Sequence, residues 1–178
     1  MKSSSVPHWV VLDVDYREGA PQRAHAVIAA VYFKSWQDSA SAHDVISRHP
    51  EVADYEPGAF FKRELPCLLT ALAQAPVPLA GVVIDGYVWL GENIAGLGER
   101  LWRALGASVP VIGVAKTAFV GTESVRHEVV RGQSHKPLYV TAAGCDAKTA
   151  ADSIASMHGD FRIPTLIKRA DSLCRAEK

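Results

Sequence analysis

The stretch VVIDGYVWLG, residues 82–91, contains an apolar run that ends on a carboxylate beside a glycine. Residues 82–84 are typical of a strand that is buried on both faces, and Asp85 and Gly86 follow at its carboxyl end. Ligands of open α/β sheets bind at the carboxyl ends of strands, so the position of Asp85 favours a functional site. An aspartate at a strand end also commonly caps a turn, and that simpler interpretation stays open for Asp85 alone.

The segments on either side of this strand predict an alternation of strands and helices. Continuous apolar runs predict strands at 8–16, 24–33, 80–85 and 109–115, and a shorter one within KPLYVT, 136–141. Apolar side chains at helical spacing predict helices at 63–75, 97–107 and 146–157, and in the tail from residue 162. The segment 35–58 is polar and irregular, with room for a weak strand. Strands first, followed by β–α alternation, indicate an α/β protein with a mixed β-sheet.

Length and composition predict a single domain that comprises residues 1–178. Hydrophobic residues make up 48% of the chain, and 19 basic residues balance 19 acidic ones, which argues against a non-specific electrostatic grip on nucleic acid. The three cysteines fit no metal-binding spacing and are expected to be reduced thiols. The first residues form neither a signal peptide nor a membrane span, so we expect a cytoplasmic protein without a membrane partner. We also expect a monomer.

Carboxylates recur beside the predicted strands and at a helix start. Asp13 interrupts the first strand, Asp85 ends a later one and Glu64 opens a helix. Gathering ionised carboxylates costs free energy unless a cation offsets the repulsion, and oxygen ligands suit Mg²⁺ or Mn²⁺. Singly, each residue is better explained by a turn cap or by the preference of a carboxylate for a helix N-terminus. Together, the three make a metal centre for phosphoryl chemistry an equal alternative.

Several short segments, in a fixed order, resemble the endonuclease V family of deoxyinosine-specific repair nucleases. They are DVDY (13–16), YEPGAFFKRELP (55–66), VVIDG (82–86), GLGERL (96–101), VPVIGVAK (109–116) and RIPTLIKRAD (162–171). The resemblance implies a ribonuclease-H-like fold, in which a mixed β-sheet is flanked by helices, with a Mg²⁺-dependent carboxylate centre. It matches Asp13, Glu64 and Asp85 to the family's acidic metal ligands, so Asp85 would hold a metal ion.

The resemblance also implies residues that bind DNA or RNA carrying a deaminated purine. Tyr55 and Pro57 match the family's wedge, which fills the gap left when the lesion base leaves the stack. The small residues that match the lining of the family's base pocket are Gly58, Gly86 and Gly96. Lys116 matches a lysine near the cleaved strand and would contact phosphate.

The chain departs from the family pattern in several segments. Where the family has His-Pro-Arg, residues 91–93 read Gly-Glu-Asn, and TAAGCDAKTA (141–150) replaces a Pro-Gly-His segment without supplying a histidine. Within that segment, Asp146 is either a substitute oxygen ligand for the metal or the N-cap of the next helix. The acids Asp54 and Glu56 flank the wedge position, and negative charge there would repel phosphate.

The leading hypothesis is a Mg²⁺-dependent endonuclease of DNA repair, which cleaves a phosphodiester near a deaminated purine. The departures from the family pattern motivate an alternative, a catalytically impaired relative that binds nucleic acid with the same fold and glycine pocket. A third hypothesis is a metal-dependent phosphohydrolase that acts on free nucleotides.

Overall fold

The computed structural model describes residues 6–17, 24–54 and 56–176. Its strands are β1 (His8–Arg17), β2 (His25–Phe33), β3 (His43–His49), β4 (Leu79–Asp85), β5 (Trp89–Gly91), β6 (Ile94–Ala95), β7 (Val111–Ala115), β8 (His127–Val129) and β9 (Leu138–Ala143). Its helices are α1 (Phe60–Leu72), α2 (Leu97–Ala104), α3 (Ala147–Ser156) and α4 (Thr165–Ala176). None of the helices in these described segments is long and apolar enough to cross a membrane.

Seven of the strands form one mixed sheet in the order β3-β2-β1-β4-β7-β9-β8. The central strands β1, β4 and β7 are parallel to one another, and the remaining neighbours in the sheet are antiparallel. Because parallel strands point their carboxyl ends in one direction, β1 and β4 end side by side. This mixed sheet flanked by four helices confirms the α/β, ribonuclease-H-like fold class.

The two faces of the sheet bury separate apolar cores. Alternate residues of β1 point to opposite faces, so Val11 packs in the core with α3 and α4, whereas Val10 and Leu12 pack in the core with α1 and α2. A fully buried aliphatic side chain contributes roughly 1.5–3 kcal/mol relative to an exposed one. Burial on both faces explains why the central strands have continuous apolar sequences.

The structure differs from the sequence-based predictions mainly at the margins of the sheet. The weak strand predicted within 35–58 is β3, and the short strand β8 and the hairpin of β5 and β6 were not predicted. Short, half-exposed strands lack the apolar run that identifies a buried strand. Helix α1 begins at Phe60, earlier than predicted, so Pro66 lies inside the helix and not in its first turn.

Candidate nuclease site

Asp13 and Asp85 lie at the carboxyl ends of two neighbouring parallel strands. Leu12 of β1 is paired with Ile84 of β4, so the two aspartates follow at the next position of the same register. Both side chains line a small cavity that is also lined by Lys116 and by Ile167 of α4. The strand directions therefore bring together two of the three carboxylates that the sequence singled out.

Glu64 belongs to α1, which packs on the face of the sheet opposite α3 and α4. It is only 8% exposed, and burial, followed by the negative charges of Asp85 and Asp13, raises its pKa to about 8. Burial and then the charge of Asp85 likewise raise the pKa of Asp13 to about 6. The three carboxyl groups thus interact electrostatically at the end of the strands, although Glu64 approaches from a different layer than the cavity shared by the two aspartates.

Lys116 follows β7 and supplies positive charge to this centre. Its Nζ donates a hydrogen bond to Oδ2 of Asp85 across 2.7 Å. Burial alone would lower the pKa of Lys116, but the hydrogen bond and charge of Asp85 outweigh burial and raise it. The sequence predicted a phosphate contact for Lys116, whereas in the structure this side chain pairs with a carboxylate.

The carboxyl groups fit a hard divalent cation in their chemistry, because they are all oxygen donors and because burial, followed by their mutual repulsion, raises the pKa values of Asp13 and Glu64. As the side chains stand, however, residues 6–17, 24–54 and 56–176 contain no group of three or more His, Cys, Asp or Glu side chains placed to hold a metal ion. Asp85 is instead neutralised by Lys116. The assignment of Asp13, Glu64 and Asp85 as ligands therefore stays a prediction.

Asp171 is a further carboxylate near this centre that the sequence analysis did not single out. It lies on α4, and its negative charge contributes to the raised pKa values of Asp13 and Lys116. Ion pairs with Lys168 and Arg175 hold its side chain, at 2.9 and 3.0 Å. The available signal was the RIPTLIKRAD segment, which ends on this residue.

Asp146 is remote from the other carboxylates, which corrects the prediction that it adds a metal ligand. Strand β9 is antiparallel to β7, and Ala143 at its end pairs with Val111 at the start of β7. Asp146 consequently lies at the end of the sheet opposite Asp85. Its Oδ2 accepts a hydrogen bond from the amide of Thr149 at 2.8 Å, so its role is to cap α3.

The three glycines predicted to line a base pocket do line one cavity, of about 300 Å³. A Cβ at Gly58 or Gly86 would meet no atom within 4 Å, and both residues have positive φ angles, 78° and 125°. A Cβ at Gly96 would lie 2.6 Å from the carbonyl oxygen of Tyr87. Gly58 and Gly86 therefore leave open space beside the cavity, whereas Gly96 permits close backbone packing.

Aromatic rings and one guanidinium complete the lining of this cavity. The rings belong to Phe60, Phe61, Tyr87 and Phe119. The guanidinium of Arg100 lies over the ring of Phe61, with 3.7 Å from Cζ to the ring centroid. Within the part of the chain that the structure describes, no hydrogen bond or ion pair engages the Arg100 side chain, and its Nε is buried. This unpaired donor group was not predicted from the sequence.

The predicted wedge segment is described only in part. Tyr55 lies outside the described residues, and Pro57 is exposed in the turn before α1. Glu56, one of the two acids beside the wedge, pairs with Lys62 through a 2.8 Å contact between Oε2 and Nζ. This ion pair offsets part of the negative charge that would repel a phosphate.

Sequence comparisons relate the chain to endonucleases. The family model Endonuclease V matches residues 2–133. Endonuclease V of Streptomyces avermitilis is 29% identical over 187 residues, covering 92% of this chain and 77% of the relative. Endonuclease V of Streptomyces coelicolor is 31% identical over 141 residues, covering 68% of this chain and 60% of the relative.

Structure comparisons agree with the sequence comparisons. The crystal structure of endonuclease V from Streptomyces avermitilis has a TM-score of 0.75 and 26% identity, over 97% of this chain and 82% of that one. A Ciona intestinalis endonuclease V, in complex with DNA containing an inosine followed by a ribo-adenosine, has the same fold, with a TM-score of 0.75 at 19% identity over 98% of this chain and 87% of that one. Because the family model matches well over half of the residues of this chain, the chain belongs to the endonuclease V family.

Proposed function

We propose that this chain is a Mg²⁺-dependent endonuclease that cleaves a phosphodiester near a deaminated purine in DNA or RNA. The observation that carries the proposal is the position of Asp85, which lines both the cavity of the carboxylates and the glycine-lined cavity. A base held in the second cavity would place its neighbouring phosphates beside the first. Membership of the endonuclease V family supports this arrangement, as does the inosine-containing DNA in the Ciona complex.

The glycine-lined cavity suits a flipped purine. Its volume of about 300 Å³ and its aromatic walls fit a planar base. Gly86, whose positive φ favours glycine, lets a nucleotide approach the backbone without a Cβ in the way. We further propose that Arg100 donates to O6 and N7 of hypoxanthine, the acceptor pair that a guanidinium binds in guanine. Adenine has an amino donor in place of O6, so the same contact would discriminate against it.

The carboxylates Asp13, Glu64 and Asp85, with Asp171 nearby, are the residues that would hold Mg²⁺ or Mn²⁺. When bound, such an ion polarises a phosphoryl oxygen and lowers the pKa of a water molecule that attacks it. Lys116, whose side chain is 39% exposed, would donate to a phosphate oxygen of the cleaved strand. Before a phosphate binds, the pairing of Lys116 with Asp85 offsets one of the clustered negative charges.

The direct test is incubation of the protein with oligonucleotides that contain one deoxyinosine, or one inosine in RNA, with Mg²⁺ and then with EDTA. We expect a nick near the lesion that EDTA abolishes and that Asp85→Asn lowers by orders of magnitude. Asp146→Asn is the matched control, because it removes a carboxylate at the other end of the sheet while keeping an N-cap residue. Intact lesion substrates at high enzyme concentration would reject the nuclease proposal.

A second candidate function is lesion binding without cleavage. It is favoured by the Lys116–Asp85 ion pair, since a lysine that stays on this carboxylate would compete with a metal ion. This candidate predicts lesion-dependent affinity in a gel-shift assay, no nick with any divalent ion, and little effect of Asp85→Ala on affinity. Turnover of free nucleotides but not of oligonucleotides would instead indicate a nucleotide phosphohydrolase.

A further inference from the structure

We propose that Phe161 is a stacking platform for an unpaired nucleobase of the strand that leaves the catalytic cleft. The proposal rests on the proposed function only in taking nucleic acid as the substrate. Phe161 is 80% exposed and lines a groove of about 990 Å³, which is distinct from the glycine-lined cavity and shares Ile163 with the carboxylate cavity. A partner that covers an exposed ring in a groove gains apolar burial.

Hydrogen bonds from Arg131 hold the loop that carries Phe161. Arg131 is only 7% exposed, and its guanidinium donates hydrogen bonds to loop carbonyl groups, among them those of Met157, Gly159 and Phe161 itself. A Cβ at Gly132 would lie 2.3 Å from the carbonyl oxygen of Asp160, so the segment after Arg131 packs directly on this loop. A buried guanidinium thus fixes a loop whose apolar side chain faces solvent, which is the preorganisation that a binding platform requires.

The groove adjoins the carboxylate cavity, because Ile163 lines both of them. The neighbouring Arg162 donates hydrogen bonds from Nη2 to the carbonyl oxygens of Lys116 and Pro137. A strand whose phosphate lies beside Lys116 therefore has a path over Arg162 to the ring of Phe161.

The charges around the groove favour a nucleic-acid occupant over an apolar protein surface. Arg162 and Lys168 line it, against one acid, Asp160. Lys168 pairs with Asp171, which it shares with Arg175, so the groove and its ion pairs keep one positive charge in excess. Backbone phosphates complement this charge, while a base stacks on the ring regardless of its identity, because every base has a π-face. The site would therefore add affinity without adding sequence preference.

The test measures the dissociation constant of an undamaged single-stranded oligonucleotide by fluorescence anisotropy, without divalent ions. We expect Phe161→Ala to weaken binding by about 5-fold to 150-fold, the usual worth of one base–aromatic stack. Phe161→Leu keeps an apolar side chain without a ring and should lose most of the same affinity. Phe161→Trp should retain affinity, and its fluorescence should be quenched on binding. Because the side chain is exposed, all three variants should melt at the wild-type temperature.

Unchanged affinity in Phe161→Ala and Phe161→Leu would overturn the platform, as would a wild-type protein that does not bind single strands. A concentration-dependent dimer that Phe161→Ala abolishes would assign the ring to a protein interface and would also overturn it. Ring-dependent binding without lesion cleavage would reject the proposed nuclease function alone. Lesion cleavage with ring-independent binding would reject the platform alone.

Discussion

The ammonium group of Lys116 lies 2.7 Å from Oδ2 of Asp85, where β4 ends and the chain leaves β7. The two strands are paired in register, with Asp85 opposite Val114, so the sheet itself places the lysine beside the carboxylate. Both side chains are more than one third exposed, and such an ion pair contributes only about 0–1 kcal/mol to stability. A pair this weak can be exchanged for a metal ion or a phosphate at little cost.

Mg²⁺ should raise the melting temperature of the wild-type protein with increasing concentration, because an ion that binds only the folded state stabilises it by mass action. Asp85→Asn should abolish this response, and Asp146→Asn should leave it intact. Differential scanning fluorimetry with Mg²⁺, Mn²⁺ and EDTA measures both variants. A response that persists in Asp85→Asn would place any bound metal elsewhere.

Without metal, Asp85→Asn should change stability little. The substitution removes the Lys116 ion pair, but it also removes a negative charge that raises the pKa values of Asp13 and Glu64. The two effects oppose each other, so we expect a change within about 1 kcal/mol in urea denaturation with EDTA. A loss of several kcal/mol would show that the ion pair is structural.

Stability without metal should fall as the pH rises from about 5 to above 8. The pKa of Glu64 is about 8 in the folded protein against an ordinary value of 4.5, so the folded state holds a proton that the unfolded chain releases. This contribution is complete below pH 4.5 and is lost as the pH rises through 8. Asp13 acts in the same direction, with a pKa of about 6.

Glu64→Gln keeps the shape of the side chain and removes its titration, so it should flatten the pH dependence of the unfolding free energy. Urea denaturation of the wild type and the variant at pH 5, 6.5 and 8, with EDTA present, gives the comparison. Equal slopes in the two proteins would contradict the raised pKa of Glu64.

Lys116→Met should tighten Mg²⁺ binding and slow cleavage. The substitution removes the ammonium that competes with a cation for Asp85, and it also removes the donor proposed for the phosphate. Isothermal titration with Mg²⁺ and a cleavage time course separate the two effects. Lys148→Met, on the exposed face of α3, removes the same charge from a pair with Asp152 and should change neither quantity.

Arg100→Met should relax lesion discrimination. Loss of a bidentate contact to O6 and N7 should lower the affinity ratio of inosine over adenine substrates by about 5-fold to 150-fold. Arg103→Met is the matched control, because Arg103 lies on the same helix and its side chain is 74% exposed in an ion pair with Glu99. An unchanged ratio in Arg100→Met would remove Arg100 from base recognition.

Gly96→Ala should destabilise the protein more than Gly58→Ala. A Cβ at position 96 would lie 2.6 and 2.8 Å from the carbonyl oxygens of Tyr87 and Val88, and such overpacking costs about 1–3 kcal/mol. At Gly58 there is open space, so only the positive φ of 78° opposes alanine, at roughly 1 kcal/mol. Chemical denaturation of the two variants should rank them in this order.

The sequence predicted the part of the site that can be read from the residue pattern of a single strand. An apolar run ending on Asp85 and a strand interrupted by Asp13 were enough to place two carboxylates at one end of the sheet. Asp146 could not be placed this way, because the antiparallel direction of β9 is set by its pairing with β7 and not by its own residues.

The contacts between distant segments could not be predicted from the sequence for the same physical reason. Lys116 reaches Asp85 only because β7 pairs with β4, and Asp171 approaches Asp13 only because α4 packs across β1. Arg100 has an ordinary position on an amphipathic helix, and what distinguishes it is that its side chain has no hydrogen-bond or ion-pair partner among the described residues. Local periodicity contains none of this information.

Strand β1 lies inside the sheet, hydrogen-bonded to β2 on one side and to β4 on the other. Amide hydrogens in such a strand exchange with solvent only when the whole domain opens, whereas those of an edge strand exchange through local fraying. The scaffold of Asp13 should therefore persist up to the global unfolding transition. Heating should abolish metal binding and folded structure in a single step, without an intermediate that is folded but has lost its carboxylate centre.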